Sequence, residues 1–276
     1  MGLCKGNKGH LMQHWVFCEI LEELARKKCD SLRLVTTHSM APWSVPIKLE
    51  QEKKDVSRLV FHTVRFRTPN NRTSVYEQVW HSTSVSQGLP YPSSAVLAVM
   101  HWKGDLSLLL CEVDNSVANE IAAWLSLPEV SRKISPKLLF RGDWRAKFRK
   151  NPFLNWAGDV LFVELDPMRF EHNPPEQCSR DNRAVFYRED WEVVLTALQH
   201  VKTPCVIQFS TFSANNNNPH RITEPIITEN LVNAGFQKYA RVEADGNMMS
   251  LVYARGVDLW VNTESLHDRF LFWLSA

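Results

Sequence analysis

The sequence lacks the features that mark zinc, membrane and secreted proteins. Its six cysteines are scattered and form no C-x-x-C pair, so we expect reduced thiols and no metal site. No apolar run approaches the roughly 20 residues that a membrane-spanning helix needs. The first residues, MGLCKGNKGH, are polar and basic and have no apolar segment like that of a signal peptide. A cytoplasmic protein is therefore the expectation.

A strong charge of either sign is also missing. The chain has 32 Lys and Arg against 30 Asp and Glu, a formal net charge of +2. This is too mild to predict nucleic-acid binding by itself, because dedicated binders usually carry a strongly basic face. A length of 276 residues, 44% of them hydrophobic, is enough for one large domain, or for one domain with a sizeable insertion.

Strand and helix patterns alternate along most of the chain. Helical spacing of apolar residues predicts helices over 9–28, 93–103, 115–127, 188–201 and 223–236. Apolar runs predict strands at 31–38, 106–114, 159–165, 203–210, 237–245 and 248–256. Asn115 is the expected cap of the third helix, and the last two strands are expected to pair as a hairpin. The alternation predicts an α/β protein with a doubly wound sheet.

Residues 43–90 interrupt this rhythm. They contain a charge run, KLEQEKKD, a basic amphipathic stretch, RLVFHTVRFR, and a polar turn, TPNNRTS. We interpret 43–90 as a mostly helical inserted subdomain, and 1–42 with 91–276 as the main domain.

The run DVLFVEL ends in Asp166-Pro167, which places an acid at the carboxyl edge of the predicted sheet. In enzymes that methylate exocyclic amino groups, a second proline and an aromatic residue follow. Here Met168 and Arg169 follow, with Phe170 one step later. Asp166 can still accept a hydrogen bond from an amine. Arg169 suits an anionic group on a substrate, or it points to solvent and pairs with Glu171.

Several segments, in order and spacing, resemble the RlmJ-type bacterial ribosomal RNA adenine-N6 methyltransferases over nearly the whole chain. The matching segments are Gly6-Asn7 with His14, Thr36-Thr37-His38, Tyr91-Pro92-Ser93-Ser94, Glu112, Gly142-Asp143 with its two letters inverted, and Asp166-Pro167. The resemblance implies a Rossmann-like class I methyltransferase fold that binds S-adenosyl-L-methionine (SAM). It further implies a seven-stranded sheet with a C-terminal antiparallel hairpin and a small helical insertion.

The resemblance also implies roles for individual residues. Catalysis would fall to Asp166, Pro167 and Phe170, with Asp166 holding the target amine and Phe170 stacking on a base only if the loop is rearranged. Arg169, which departs from the family motif, joins this catalytic set as a cation for an anionic group of the substrate. Glu112 would bind the ribose hydroxyls. The cofactor-binding set is His14, His38, Ser39, Ser94, Glu112, Gly142, Asp143 and Asp166.

The sequence departs from this family at two segments that would bind the cofactor and the acceptor. The turn TTHSMAPW contains no glycine, whereas glycines let backbone amides approach a ligand closely. The second departure is the Met168-Arg169 pair after Asp166-Pro167. Three functions therefore stay open: methyl transfer to an amine, with adenine in RNA as one acceptor; cyclisation or elimination of SAM on a small substrate, releasing methylthioadenosine; and a degenerate, non-enzymatic binding module.

A basic segment, 131–150, gives a second hypothesis about RNA. Its aromatic residues Phe140, Trp144 and Phe148 recur at helical spacing, which predicts a helix. The face is either an RNA phosphate contact or an ordinary solvated helix surface. Its cations are Arg132, Lys133, Lys137, Arg141, Arg145, Lys147, Arg149 and Lys150.

Overall fold

A computed structural model of the chain describes residues 8–44, 91–150, 152–153, 158–167, 169–171, 185–212, 220–244, 248–260 and 266–270. The helices are α1 (Lys8–Arg26), α2 (Ser94–His101), α3 (Asn115–Leu125), α4 (Pro128–Ser131), α5 (Trp144–Phe148), α6 (Asp190–Leu198) and α7 (His220–Asn233). The strands are β1 (Ser31–Thr36), β2 (Trp43–Ser44), β3 (Tyr91–Pro92), β4 (Asp105–Glu112), β5 (Ile134–Arg141), β6 (Val160–Leu165), β7 (Arg169–Glu171), β8 (Val185–Tyr187), β9 (Cys205–Phe212), β10 (Gln237–Ala244) and β11 (Met248–Arg255). None of the helices within these ranges is both long and apolar enough to cross a membrane.

Seven strands follow one another across the main sheet in the order β10-β11-β9-β6-β1-β4-β5. Strand β1 pairs in parallel with β4 on one side and with β6 on the other. The chain runs outward from β1 to β5 and then returns to β6, so the topological switch point lies between β1 and β6. Strand β11 is antiparallel to both β9 and β10. The predicted doubly wound seven-stranded sheet with a C-terminal hairpin is confirmed.

Two apolar layers cover the two faces of this sheet. Successive residues of β6 alternate between them, since Phe162 packs into the layer that contains α1 and α2, and Val163 packs into the layer that contains α6. This alternation is the period of two expected of a strand. It fixes which side chains at the end of β6 point toward α1, and so it determines where the candidate site lies.

The predicted helix over 131–150 is wrong. The segment forms β5, which pairs in parallel with β4, and then the short helix α5. Between them the backbone of Gly142 has a φ of 155°, a conformation that residues with a side chain rarely adopt. The aromatic spacing that suggested one helix therefore spans a strand, a turn and a separate helical turn.

The cap predicted for α3 is also wrong by one residue. The side chain of Asp114, not that of Asn115, accepts hydrogen bonds from the amides of Ser116 and Val117, at 2.8 and 3.2 Å. Strand β4 ends at Glu112, two residues earlier than expected, which leaves Asp114 in the extended conformation that a cap requires.

Replacing Asp114 by alanine is expected to lower the free energy of unfolding by about 1 kcal/mol, because two amides of α3 lose their acceptor. Urea unfolding of the purified variant measures this. Asn115→Ala is the matched control, and its effect should stay below about 0.5 kcal/mol, as for ordinary surface substitutions. A larger loss for Asn115→Ala than for Asp114→Ala would contradict the assignment of the cap.

The predicted insertion falls almost entirely outside the described residues. Its first two residues form β2, which pairs with β3 through Trp43–Pro92 and Ser44–Tyr91. The helical character predicted for 45–90 lies outside the described part of the chain and stays a prediction.

Candidate functional site

A narrow recess lies at the switch point, between the carboxyl ends of β1 and β6. Four parts of the fold contribute its walls: α1, the loop after β1, the start of α2 and the end of β6. The lining residues are Gln13, His14, Thr36, His38, Ser39, Met40, Ser93, Ser94, Ala95, Glu164 and Asp166. Five of the predicted cofactor-binding residues, His14, His38, Ser39, Ser94 and Asp166, therefore lie around one recess.

Glu164 is the deepest acid of the recess, with 4% of its surface exposed. Its side chain points toward α1 and α2, where Oε1 accepts hydrogen bonds from Gln13 Nε2 at 3.0 Å and from Ser94 Oγ at 2.6 Å. Burial raises the pKa of Glu164, and these two donors oppose the rise because they stabilise the charged form. Ser94 is therefore more than a residue at the start of α2; the cap of that helix is Ser93.

Asp166 lies two residues beyond Glu164, directly after β6. Part of its surface is exposed, but its carboxyl is crowded by protein atoms. Burial, together with the neighbouring Glu164 carboxyl, raises the pKa of Asp166 to about 8, while a hydrogen bond from Gln13 acts in the opposite direction. At pH 7 most molecules therefore carry a proton on Asp166.

The loop after β1 is held without glycine. The amide of Ser39 donates to the carbonyl of Cys111 at 2.9 Å, and the hydroxyls of Ser39 and Thr36 share a short hydrogen bond. The hydroxyl of Thr37 lies 2.8 Å from Nδ1 of His38. The Ser39 amide is thus bound to β4, and the loop presents hydroxyl and imidazole groups to the recess instead of a glycine-rich amide cradle.

Glu112, Gly142 and Asp143 lie together at the ends of β4 and β5, next to the recess but not in its wall. The amide of Gly142 donates to the carbonyl of Glu112 at 2.9 Å. Glu112 Oε1 accepts from the amide of Asp114 at 2.8 Å. Asp143 caps α5, accepting from the amide of Arg145 at 2.9 Å, and also forms an ion pair with that side chain. Asp143 is therefore engaged by its own helix, and the cofactor roles of all three residues stay predictions.

Among the described side chains, those of Pro167 and Phe170 do not line the recess. Pro167 is buried, and Arg169 and Phe170 belong to β7, which pairs with β8. The ring of Phe170 packs against Phe186 and Phe209 in the α6 layer, with centroids 6.1 and 6.2 Å apart. Met168 and the side chain of Arg169 lie outside the described part of the chain. The predicted catalytic roles of these residues remain predictions.

The basic segment divides into two sets. Four of its eight cations bind groups of the protein itself: Lys133 donates to the Val99 carbonyl, Lys137 to the Leu125 carbonyl and Ser131, Arg141 to Asn119, and Arg145 to Asp190. Lys147 lies over the ring of Phe140, 6.0 Å from its centroid. The hypothesis of an RNA phosphate contact therefore rests on the exposed cations Arg132, Arg149 and Lys150.

Gln13 and Glu164 were not predicted as site residues. The available signal was an acid inside an otherwise apolar strand, two positions before Asp166 and hence on the same face. Its significance depends on which helices cover that face, since a donor from α1 and another from α2 make the buried acid tolerable. The sequence does not contain that information locally.

Comparison with known proteins supports the fold. No family model and no curated protein sequence matches the chain. A solved structure from Legionella pneumophila, protein LPL1258, described under the family model DUF519, aligns over 97% of this chain and 91% of its own, with a TM-score of 0.63 and 16% identity.

Two more distant structures align with TM-scores of 0.45 and 0.44. One is a putative class I SAM-dependent methyltransferase from Listeria monocytogenes, 8% identical over 95% of this chain and 66% of its own. The other is the catalytic domain of hMettl16 in complex with a MAT2A 3'UTR hairpin, 10% identical over 91% of this chain and 72% of its own. With its strand order and antiparallel β10–β11 hairpin, the chain has the Rossmann-like class I methyltransferase fold.

Proposed function

We propose that the chain is a SAM-dependent transferase that methylates an amino group, with adenine in RNA as the acceptor favoured by the sequence resemblance. One observation carries the proposal: residues from four separate elements meet in a recess at the switch point, beside β1 and β6. In open α/β sheets, ligands bind outside the carboxyl ends of the strands at this point.

The recess is small, with a cavity volume of about 10 Å³, so it would receive one cationic end of the cofactor and not the whole molecule. SAM carries a sulfonium and an ammonium group, and the described lining of the recess contains two carboxyl groups, Glu164 and Asp166, and neither lysine nor arginine. Glu112, at the end of the adjacent strand β4, would accept hydrogen bonds from the ribose hydroxyls. When bound, SAM would supply an electrophilic methyl group on its sulfonium.

The residues of the chain would then position the acceptor. An ionised Asp166 accepts a hydrogen bond from an N–H of the acceptor amine, which turns the nitrogen lone pair toward the methyl carbon. The Asp166 carboxylate would also take up the proton that the amine loses on methylation and pass it to solvent. The contribution is mainly alignment, which is worth up to about 7–11 kcal/mol in well-oriented reactions.

The test is to mix the purified protein with SAM, with and without RNA, and to separate the nucleoside products. Formation of S-adenosylhomocysteine only when RNA is present supports methyl transfer to RNA. Formation of S-adenosylhomocysteine with small amines instead would show that the acceptor is a small amine and not RNA. Methylthioadenosine without an acceptor would replace methyl transfer by cyclisation or elimination. Failure of calorimetry to detect binding of SAM or S-adenosylhomocysteine would overturn both enzyme functions.

Replacing Glu112 by glutamine is expected to weaken SAM binding about tenfold, because a charged acceptor of the ribose hydroxyls becomes a neutral one. Calorimetric titration at a fixed pH measures the change. Glu120→Gln is the matched control, since Glu120 is exposed on α3 and the same charge is removed. Equal affinities for the two variants would remove Glu112 from the cofactor site.

A further inference from the structure

We propose that Glu164 is a positioning residue that controls the protonation of Asp166, so that SAM binding is coupled to the release of one proton from this acid pair. The inference rests on the proposed function and deepens it. It assigns a role to a residue that neither the sequence resemblance nor the fold comparison singles out.

The geometry of the pair is the first ground for this inference. Glu164 and Asp166 are two positions apart at the end of β6, so their side chains leave the strand on the same side, and both line the same recess. The side chain of Gln13 serves both acids: its amide donates to Glu164 Oε1 at 3.0 Å, and its hydrogen bond to Asp166 opposes the rise in the pKa of that carboxyl. One amide group thus connects the two carboxyl groups with helix α1.

The surroundings of the pair are the second ground. The groups that face it are Gln13 and His14 from α1, His38 from the loop after β1, and Ser94 from α2. None of these four carries a fixed positive charge. Two negative charges held close together in a buried place repel each other strongly, and aspartic-protease carboxyl pairs retain a shared proton for that reason. The same repulsion makes the Glu164–Asp166 pair hold one proton until a cation enters the recess.

The direction of the effect follows from this arrangement. A sulfonium or ammonium group in the recess favours the doubly ionised pair, so binding expels the proton. Below the pKa of Asp166, which is raised to about 8 by burial and by Glu164, the apparent affinity for SAM should therefore rise with pH. This pH dependence is a property that a purely structural Glu164 would not produce.

Two measurements test the coupling. The first follows the 13C chemical shift of the Asp166 carboxyl carbon against pH in the unliganded protein, so it requires no cofactor. The second follows SAM affinity by calorimetry between pH 6 and pH 9, in buffers of different ionisation enthalpy, which counts the protons released. In the wild-type protein both should report one group titrating near pH 8.

Glu164→Gln is the informative variant, because glutamine keeps an oxygen acceptor for Gln13 and Ser94 and removes the charge. Its titration midpoint should move down by about one pH unit or more, the usual size of a like-charge effect. Glu164→Asp keeps the charge and should restore the wild-type midpoint, and Glu120→Gln controls for net charge. An unchanged Asp166 midpoint in Glu164→Gln would overturn the inference, provided that circular dichroism shows a folded variant.

The two proposals fail in different ways. If the Asp166 midpoint moves as expected but SAM does not bind at any pH, the proposed function is overturned. The coupling of SAM binding to proton release is then overturned as well, while the effect of Glu164 on Asp166 stands. If SAM binds with the same pH dependence in Glu164→Gln as in the wild-type protein, the proposed function stands and the role of Glu164 is overturned.

Discussion

Replacing Asp190 by alanine is expected to lower the free energy of unfolding by about 3–5 kcal/mol, the usual cost of breaking a buried ion pair from one side. Arg145 binds Asp190 through two parallel hydrogen bonds, from Nε to Oδ1 at 2.7 Å and from the second guanidinium nitrogen to Oδ2 at 2.6 Å. The two side chains are 11% and 8% exposed. Urea unfolding at low salt is the measurement.

The loss is large because Asp190 satisfies two partners at once. It also accepts from the amide of Tyr187 at 2.8 Å, while Arg145 packs over the ring of Trp144. Burial alone would lower the pKa of Arg145, but the hydrogen bonds and charges of Asp190 and Asp143 reverse this and raise it. Removing Asp190 would therefore leave a poorly hydrated guanidinium with the more exposed Asp143 as its remaining acidic partner.

Asp143→Ala is the matched control, because Asp143 binds the same guanidinium at 3.1 Å with a side chain that is 35% exposed. Its loss should cost about 1 kcal/mol, as an exposed pair and a helix cap usually do. A loss below about 1.5 kcal/mol for Asp190→Ala, within the range of ordinary hydrogen bonds, would contradict the importance given to this pair.

Replacing Asp166 by asparagine is expected to lower kcat about 100- to 1,000-fold, the effect of removing one well-placed polar group from a reacting centre. Asparagine has nearly the same shape, but its amide nitrogen cannot take up the proton that the amine releases. Single-turnover kinetics with radioactive SAM measure the chemical step. Asp105→Asn is the matched control, because Asp105 is exposed at the start of β4, and its kcat should remain within about twofold, as for a surface substitution that costs little stability.

Unfolding experiments separate this loss of activity from a loss of structure. An acid whose pKa is raised on folding binds a proton that the unfolded chain has already lost, so stability falls as pH rises. For Asp166 the fall should extend from about pH 4, the ordinary value, to about pH 8. Asp166→Asn should remove that part of the fall and be the more stable protein at pH 9. Unchanged turnover in such a stable variant would exclude Asp166 from the reaction.

The sheet could be predicted from the sequence largely because its central strands are buried on both faces. Such strands contain continuous apolar runs, as in 108–111 and 160–163, and they are recognisable without knowledge of their partners. Strand β5 is different, since its residues alternate irregularly between partial and full exposure. Its conformation depends on pairing with β4, which is a long-range contact, and the local aromatic spacing pointed to a helix instead.

The site was predictable to a smaller extent, for a similar reason. Residues at strand ends, such as Asp166 and His38, lie where the fold class alone predicts a ligand site. The position of Glu164 cannot be interpreted in this way, because the role of an acid inside a strand depends on the two helices that cover it. The Gln13 and Ser94 donors are 151 and 70 residues away along the chain. The packing of Phe170 is likewise a long-range property, since its ring lies against Phe186 and Phe209, partners that its aromatic type alone does not predict.

The β2–β3 ribbon has a consequence for how this protein can change over evolution. The main chain leaves the described fold at Ser44 and re-enters it at Tyr91, and the two residues are paired neighbours. The ends of the intervening segment are therefore joined whatever its length, and each doubling of a loop costs only about 0.6 kcal/mol of closure entropy. Segments of other lengths and compositions are exchangeable at this junction while the register of the sheet is kept. Because Ser93 follows directly and donates its amide to the Pro42 carbonyl, every such exchange would occur at the rim of the recess.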